Sequence, residues 1–218
     1  MSTLITFEGI EGSGKTTQMD LLKDHLEWKG KVVRAVREPG GTLIGEKIRE
    51  ILLNVHGEKE EEGITQWAEL FLYEASRAQL VDRVIKPALS SGAIVLCDRF
   101  VDSTTAYQGY GRGLDIKSVA EMNRLGSLGI KPKVTIVVDC PVEVGLKRAW
   151  TRIEARSSVA AGREDRFEKE AADFHGRVRQ GYLRLAEEEP ERVKVVDGTR
   201  EIAVIHREIC GIIDDILG

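Results

Sequence analysis

The residues whose types and spacing best suit chemistry lie in FEGIEGSGKTT, Phe7–Thr17. Gly9, Gly14, Lys15 and Thr16 there satisfy G-x-x-x-x-G-K-[ST], with an apolar strand-like run before and a helix-like run after. A loop of this kind wraps phosphate oxygens in successive backbone N–H groups, and the helix that follows adds its positive dipole end. Lys15 is expected to reach the β and γ oxygens, and the Thr16 hydroxyl to be a Mg²⁺ ligand. The phosphate-binding set is then Gly9, Glu11, Gly12, Ser13, Gly14, Lys15, Thr16 and Thr17. Such a loop serves kinases, GTPase switches, motors and clamp loaders alike, so the rest of the chain has to decide among them.

A carboxylate for the metal belongs at the end of a neighbouring strand. Asp98 in AIVLCDRF fits, with Arg99 beside it supplying a phosphate ligand, and Asp139 in VTIVVDC competes for the same role. A hydrolase needs a positioned water, whereas a kinase needs a second anion site. Arg37, Arg49 and Arg99 all follow strand ends on the rim that carries the glycine loop. Tyr73 and Arg77, an i, i+4 pair, share one helix face, as a ring that stacks on a base and a guanidinium that donates to a carbonyl would. STTAYQG, Ser103–Gly109, adds hydroxyls, a ring and an amide just beyond Asp98 and Arg99. Together these residues describe phosphoryl transfer to a small, planar, phosphorylated acceptor.

The elements that position them alternate strand with helix throughout. Strands are read in TLITFE, KVVRAV, AIVLC, VTIVVD and VKVVD, the interior ones as continuous apolar runs. Helices are read in KTTQMDLLKDHLEWKG, in TLIGEKIREILLN, from about Thr65 to Ser90, from Arg166 to Glu189 and at the C-terminus. In the Thr65–Ser90 helix, Trp67, Phe71, Ala75, Ala78 and Asp82 trace one stripe. HGEKEEEG reads as a solvated acidic connector. The expectation is an α/β fold of three layers, a five-stranded parallel sheet surrounded by helices, with ligands at the carboxyl ends of the strands.

Bulk properties narrow the class. The 218 residues carry 42% hydrophobic and 31% charged side chains, which suits a single domain over 1–218. A formal charge of −4 argues against broad, nonspecific nucleic-acid binding. Cys97, Cys140 and Cys210 form no CxxC or His-partnered pattern and read as buried small hydrophobes in a reducing compartment. No segment approaches a membrane span, so the expected setting is soluble and cytoplasmic.

The chain resembles the thymidylate kinase (dTMP kinase) family of nucleoside monophosphate kinases. The resemblance rests on FEGIEGSGKTTQ, REPGGTLIGEKIR, EASRAQLV, LCDRFVDSTTAYQGYGRG, DRFEKE and VVDGT, and covers essentially the whole chain. It implies transfer of the γ-phosphoryl group of ATP to dTMP with Mg²⁺, in a homodimer. Catalytic roles fall on Lys15, Glu38 and Arg99. Glu11 is implied to contact the 3′-hydroxyl side of the acceptor sugar, and Glu38 to lie near the transferred phosphate and magnesium. Arg49 and Arg99 would hold the acceptor phosphate. Arg77 would meet the thymine carbonyl, with Thr104 and Gln108 reading the rest of the base edge, and Tyr107 would crowd the 2′ position. Tyr73 stands where the family usually places a stacking phenylalanine.

The loop GIEGSGKT lacks the arginine that some family members carry there. The transition-state charge should then come from elsewhere, and the resemblance to bacterial-type members implies a mobile lid at about 152–166, where Arg152, Arg156, Arg163 and Arg166 lie in or beside RIEARSSVAAGREDR. SSVAAG lengthens this segment and leaves open which arginine is catalytic: Arg156 or Arg163 is expected, with Arg152 third. Arg148 and the loop Asp197–Thr199 are candidates for the adenine side. No strong general base is required, because the acceptor is already an ionised phosphate. The rival readings are a kinase for another pyrimidine deoxynucleotide such as dUMP, and an ATPase switch with no small acceptor.

Overall fold

The computed structural model describes residues 2–54, 63–155 and 172–218. Five strands, β1 (Thr3–Glu8), β2 (Val33–Arg37), β3 (Ile94–Asp98), β4 (Val134–Asp139) and β5 (Val193–Asp197), form one parallel sheet in the order β2-β3-β1-β4-β5. All four pairings are parallel, and Phe7 sits opposite both Asp98 and Ile136. β1 therefore runs up the middle, and the glycine loop leaves the sheet at its centre, where flanking strand ends can reach it from both sides. β1, β3 and β4 are buried along almost their whole length, as their unbroken apolar runs require.

Helices cover both faces. α1 (Lys15–Trp28) and the C-terminal helix α9 (Ile202–Leu217) lie on one, packing Met19, Leu22, Leu26, Ile205, Ile209 and Ile213 against Ile5, Phe7, Leu96 and Ile136. The other carries α2 (Leu43–Asn54) and α3 (Gln66–Leu80), which continues through a π-helical stretch, Val81–Ile85, into α4 (Lys86–Ser90). Leu80, Val81 and Ile85 pack there on Leu4, Val95 and Phe100. The sequence expectation of one helix from Thr65 to Ser90 is thus met with a wide turn inside it. Its stripe of Trp67 and Phe71 faces outward, and Leu70, Glu74, Arg77 and Leu80 form the inner face.

After β3 come α5 (Val101–Thr104), a second π-helical stretch, Thr105–Gly111, and α6 (Ile116–Gly126), which Asp115 caps by accepting from the Ser118 N–H. α7 (Val142–Ala155) follows β4, and α8 (Ala172–Glu188) precedes β5. The HGEKEEEG connector, apart from its last glycine, and Arg156–Ala171 lie outside the described residues. The three cysteines are free and buried. Among the described residues no helix is long and apolar enough to cross a membrane.

Candidate active site

The ends of β1, β2 and β3 deliver the expected site residues to one cavity of about 490 Å³ above the sheet's carboxyl edge. The glycine loop is built by backbone that only glycine adopts easily: Gly12 has φ 71° and Gly14 φ 99°. A Cβ on Gly12 would stand 2.0 Å from the Gly145 carbonyl oxygen in α7. The loop is pressed against that helix, which explains why no arginine occupies its middle. α1 then starts with no acidic residue in its first turn and no side-chain cap, leaving its N–H groups to an anion. The Lys15 ammonium points back to the Ile10 carbonyl at 3.4 Å, and its pKa is lowered by burial and by the Arg99 charge.

Thr16 donates its hydroxyl proton to Asp98 Oδ2 at 2.6 Å, while Asp98 Oδ1 is buried and accepts no hydrogen bond. A hydroxyl and a carboxylate with a spare oxygen form the hard donor set that magnesium takes. Asp139, the competing candidate, is held by Arg179 in a two-pronged pair at 2.7 and 2.8 Å.

Arg99, the residue expected at a second anion site, is held over the glycine loop by several acceptors. Its backbone has φ 71°, in the left-handed region, which turns the side chain back over the glycine loop. The guanidinium donates to Gly9 O at 3.0 Å, to Ser103 at 3.1 Å, to Tyr182 at 3.2 Å and to Glu11 at 2.9 Å. It also lies over the Tyr107 ring at 4.9 Å. Glu11 accepts from the Tyr107 hydroxyl at 2.7 Å and sits 3.4 Å from His175 Nδ1. Burial alone would raise its pKa, but Arg99, His175, Lys15 and Tyr107 together carry it below the ordinary carboxylate range.

Glu38, Arg49, Tyr73 and Arg77 form the wall opposite, with Arg37 at the rim. The Glu38–Pro39 peptide bond is cis, and Arg49 donates to Pro39 O at 3.1 Å. Arg37 pairs with Glu46 at 3.0 Å. Arg77 is 1% exposed, and Nε donates to Glu38 at 2.8 Å. Nη1 donates to Glu74 at 2.5 Å and Asn123 at 2.9 Å, and Nη2 donates to Thr104 at 2.9 Å and lies 2.8 Å from Glu38 in an ion pair. Four of its five N–H groups donate to protein partners and the fifth lies beside the Glu38 carboxylate, so donation to a ligand would exchange one of these contacts. Burial, with Glu74 nearby, pushes the Glu38 pKa up to about 7 despite the Arg77 charge. Gln108 donates to Glu69 at 2.8 Å, which fixes its amide at the cavity wall.

Of the residues expected from the sequence, the cavity unites Glu11, Gly12, Lys15, Thr16, Thr17, Glu38, Arg49, Tyr73, Arg77, Asp98, Arg99, Thr104, Tyr107, Gln108 and Arg152. Gly9, Ser13 and Gly14 shape the loop behind it. Arg148 stands in an adjoining hollow that shares Arg152, and donates to Gly198 O at 2.8 Å, so the two adenine-side candidates meet. Arg156, Arg163 and Arg166 lie outside the described residues. Six cations against three carboxylates line the cavity, a local excess that a net-acidic chain concentrates at one place.

Sequence reasoning missed the support behind Arg99. Glu8 is fully buried at the end of β1 and accepts from Phe100 N at 2.7 Å, Ser103 at 2.5 Å and Tyr182 at 3.1 Å. Burial and the nearby Asp102 carboxylate raise its pKa. A carboxylate at the end of an interior strand was the available signal. Tyr182 and His175 gave none, since neither falls in a motif and helical spacing does not record what they face across the sheet.

A five-stranded parallel sheet in the order 2-3-1-4-5, with a phosphate loop at its centre and a cationic acceptor pocket beside it, defines a P-loop nucleoside monophosphate kinase. A family profile for thymidylate kinase matches residues 7–209, so the chain belongs to the thymidylate kinase family. It is 57% identical over 198 residues to the thymidylate kinase of Geotalea daltonii, covering 91% of this chain and 90% of that one. It is 48% identical to that of Sulfurihydrogenibium sp. (strain YO3AOP1), covering 96% and 95%. The crystal structure of thymidylate kinase from Ehrlichia chaffeensis superposes with a TM-score of 0.75 at 33% identity, covering 98% of each chain.

Proposed function

We propose that this chain carries out the reaction of its family, moving the γ-phosphoryl group of ATP to dTMP to give ADP and dTDP, with the cavity residues in the following roles. The observation that carries the reading is the pairing of two anion sites on one rim: the glycine loop with Lys15, and Arg99 braced over it beside Arg49. An ATPase switch has no use for the second.

The glycine loop, the first turn of α1 and Lys15 hold the ATP phosphates, and Arg148 with the Asp197–Thr199 loop flanks the donor base. Arg99 and Arg49 orient the acceptor phosphate, trading their present partners for its oxygens. Tyr73, half-buried on α3, stacks on the base, and Arg77, Thr104 and Gln108 face its edge. Glu11 and Tyr107, already hydrogen-bonded to each other, form the floor under the sugar. Thr16 and Asp98 would hold Mg²⁺, which when bound neutralises charge on the phosphate oxygens. Arg152, exposed and shared by both hollows, belongs to the 152–166 lid of this single domain, together with Arg156 and Arg163. No side chain has to remove a proton from the acceptor.

The partner is a second copy of the chain. Leu43, Ile44, Ile51, Trp67 and Phe71 are all exposed on the neighbouring helices α2 and α3. The setting is the cytoplasm, which keeps three buried thiols reduced.

ADP release from Mg²⁺–ATP, compared with dTMP, dUMP, dCMP and ribothymidine monophosphate as acceptors, tests the assignment. A strong preference for dTMP is expected. Preference for dUMP would move the assignment to another pyrimidine nucleotide, and an equal response to all four would overturn the acceptor site.

A further inference from the structure

A second group of ligand-type side chains lies on the opposite side of the molecule, between α1 and α9. His206, Cys210 and Asp214 follow one another at i, i+4 spacing and so share one face of α9. That face meets His25, ten residues into α1 from Lys15, about 15 Å along the helix from the phosphate end. Among the described residues, one ligand atom each from His25, His206 and Cys210 lie within 4.8 Å of one another. Cys210 Sγ is 3.5 Å from His206 Nε2, and His25 Nε2 is 3.5 Å from Asp214 Oδ1.

These spacings carry chemical information. Ligand atoms about 2.0–2.3 Å from a tetrahedral zinc ion stand roughly 3.5 Å from each other. Among His25, His206 and Cys210 one edge already has that length and the others, within 4.8 Å, have to draw in by about 1 Å, while Asp214 meets His25 at 3.5 Å and has to turn from Lys29 to complete the set. A bland reading treats the same residues as helix packing, with Cys210 a small hydrophobe and the two imidazoles in an edge contact at 6.0 Å. That reading leaves the buried His25 Nε2 with nothing better than the 3.5 Å ion-pair contact to Asp214, too poorly aligned for a hydrogen bond.

We propose that His25, His206 and Cys210, with Asp214 as the neighbouring fourth ligand, bind one zinc-type divalent cation that ties the C-terminal helix to α1. Two imidazoles and a thiolate select a borderline-soft transition metal over magnesium, which keeps this site chemically separate from Thr16 and Asp98. The Cys210 thiol gives up its proton to solvent as the sulfur–metal bond forms, one proton per ion bound. Lys29 competes for Asp214 at 2.6 Å and would turn to solvent. The consequence is structural: the ion would close the three-layer sandwich where the chain ends, on the face opposite the substrates.

The full-length chain, reduced and stripped with a chelator, is titrated with Zn²⁺ and separately with Co²⁺ in excess Mg²⁺. One ion per chain, release of one proton, a thiolate-to-cobalt charge-transfer band and a metal-dependent rise in unfolding temperature are expected. Cys210→Ser and His25→Gln should each weaken binding by at least about a hundredfold and remove the thermal shift. Cys210→Ser should also remove the charge-transfer band, while Cys97 and Cys140 remain as internal controls. Both metal-free variants should keep the unfolding temperature and dTMP turnover of the metal-free parent, showing that they fold. Equal titrations of parent and Cys210→Ser, a cobalt spectrum without a thiolate band, or no binding in excess Mg²⁺ would each overturn the site.

Discussion

Arg99 pays for its place with a left-handed backbone, about 1–3 kcal/mol of strain for a residue with a Cβ. What holds it there is a set of acceptors fixed from behind, since Glu8 positions both Ser103 and Tyr182, and each contacts the guanidinium. Arg99→Ala should lower kcat/KM for dTMP by about 10²–10³. The effect of Arg99→Lys should be nearly as large, because an ammonium cannot reproduce the fork. Steady-state rates at low dTMP measure this, and a rate equal to the parent's would remove Arg99 from the acceptor site. Glu38 gives a pH prediction. Its pKa is raised from 4.5 to about 7 on folding, so the folded state holds its proton more tightly than the unfolded chain. The stability it contributes is complete below pH 4.5 and is lost as pH rises through 7. Unfolding midpoints of the parent should therefore fall over that window relative to those of Glu38→Gln, and parallel curves would show that Glu38 is not the source.

At the scale of elements, the close contact is between the glycine loop and α7. Gly12→Ala places a methyl group 2.0 Å from the Gly145 carbonyl in a backbone conformation that alanine avoids, so a loss of about 2–3 kcal/mol is expected. Denaturant unfolding measures that loss, and KM for ATP should rise with it as the loop moves. A variant as stable as the parent would mean that α7 yields at no cost. The same junction shows what the sequence discloses. Sheet, strand count and glycine loop were legible because apolar runs of four to six residues and a fixed motif encode them locally. Tyr73 and Arg77 were legible as neighbours because helical spacing is local too. The pairing of Gly12 with Gly145, the bracing of Arg99 by Glu8 and Tyr182, and the saturation of Arg77 by Glu38, Glu74, Asn123 and Thr104 were not. They join elements up to 174 residues apart, and no periodicity within either element records the partner. The outward direction of Trp67 and Phe71 was illegible for a related reason: α3 carries apolar residues on two faces, and only its packing on the sheet decides which is inner.

At the scale of the whole molecule, that second apolar face has to be accounted for. Phe71 is 53% and Ile44 51% exposed, and Trp67 lies 5.9 Å from Phe71, so two helices packed on each other both present large apolar side chains to solvent. A two-fold dimer presents the same patch twice, and any charge placed in it is introduced twice and faces its own copy. Phe71→Glu and Ile44→Glu should each raise the dimer dissociation constant by at least about 10²–10³, read by light scattering across a dilution series. A parent chain that stays monomeric at tens of micromolar would overturn the dimer. The helices that carry this face also carry Arg49, Tyr73 and Arg77 on their other side. A dissociated variant should therefore show a raised KM for dTMP with an unchanged KM for ATP, whose loop sits on the central strand away from the patch. Equal KM values in monomer and dimer would mean that each acceptor pocket is rigid without its neighbour, and that the second copy serves stability alone.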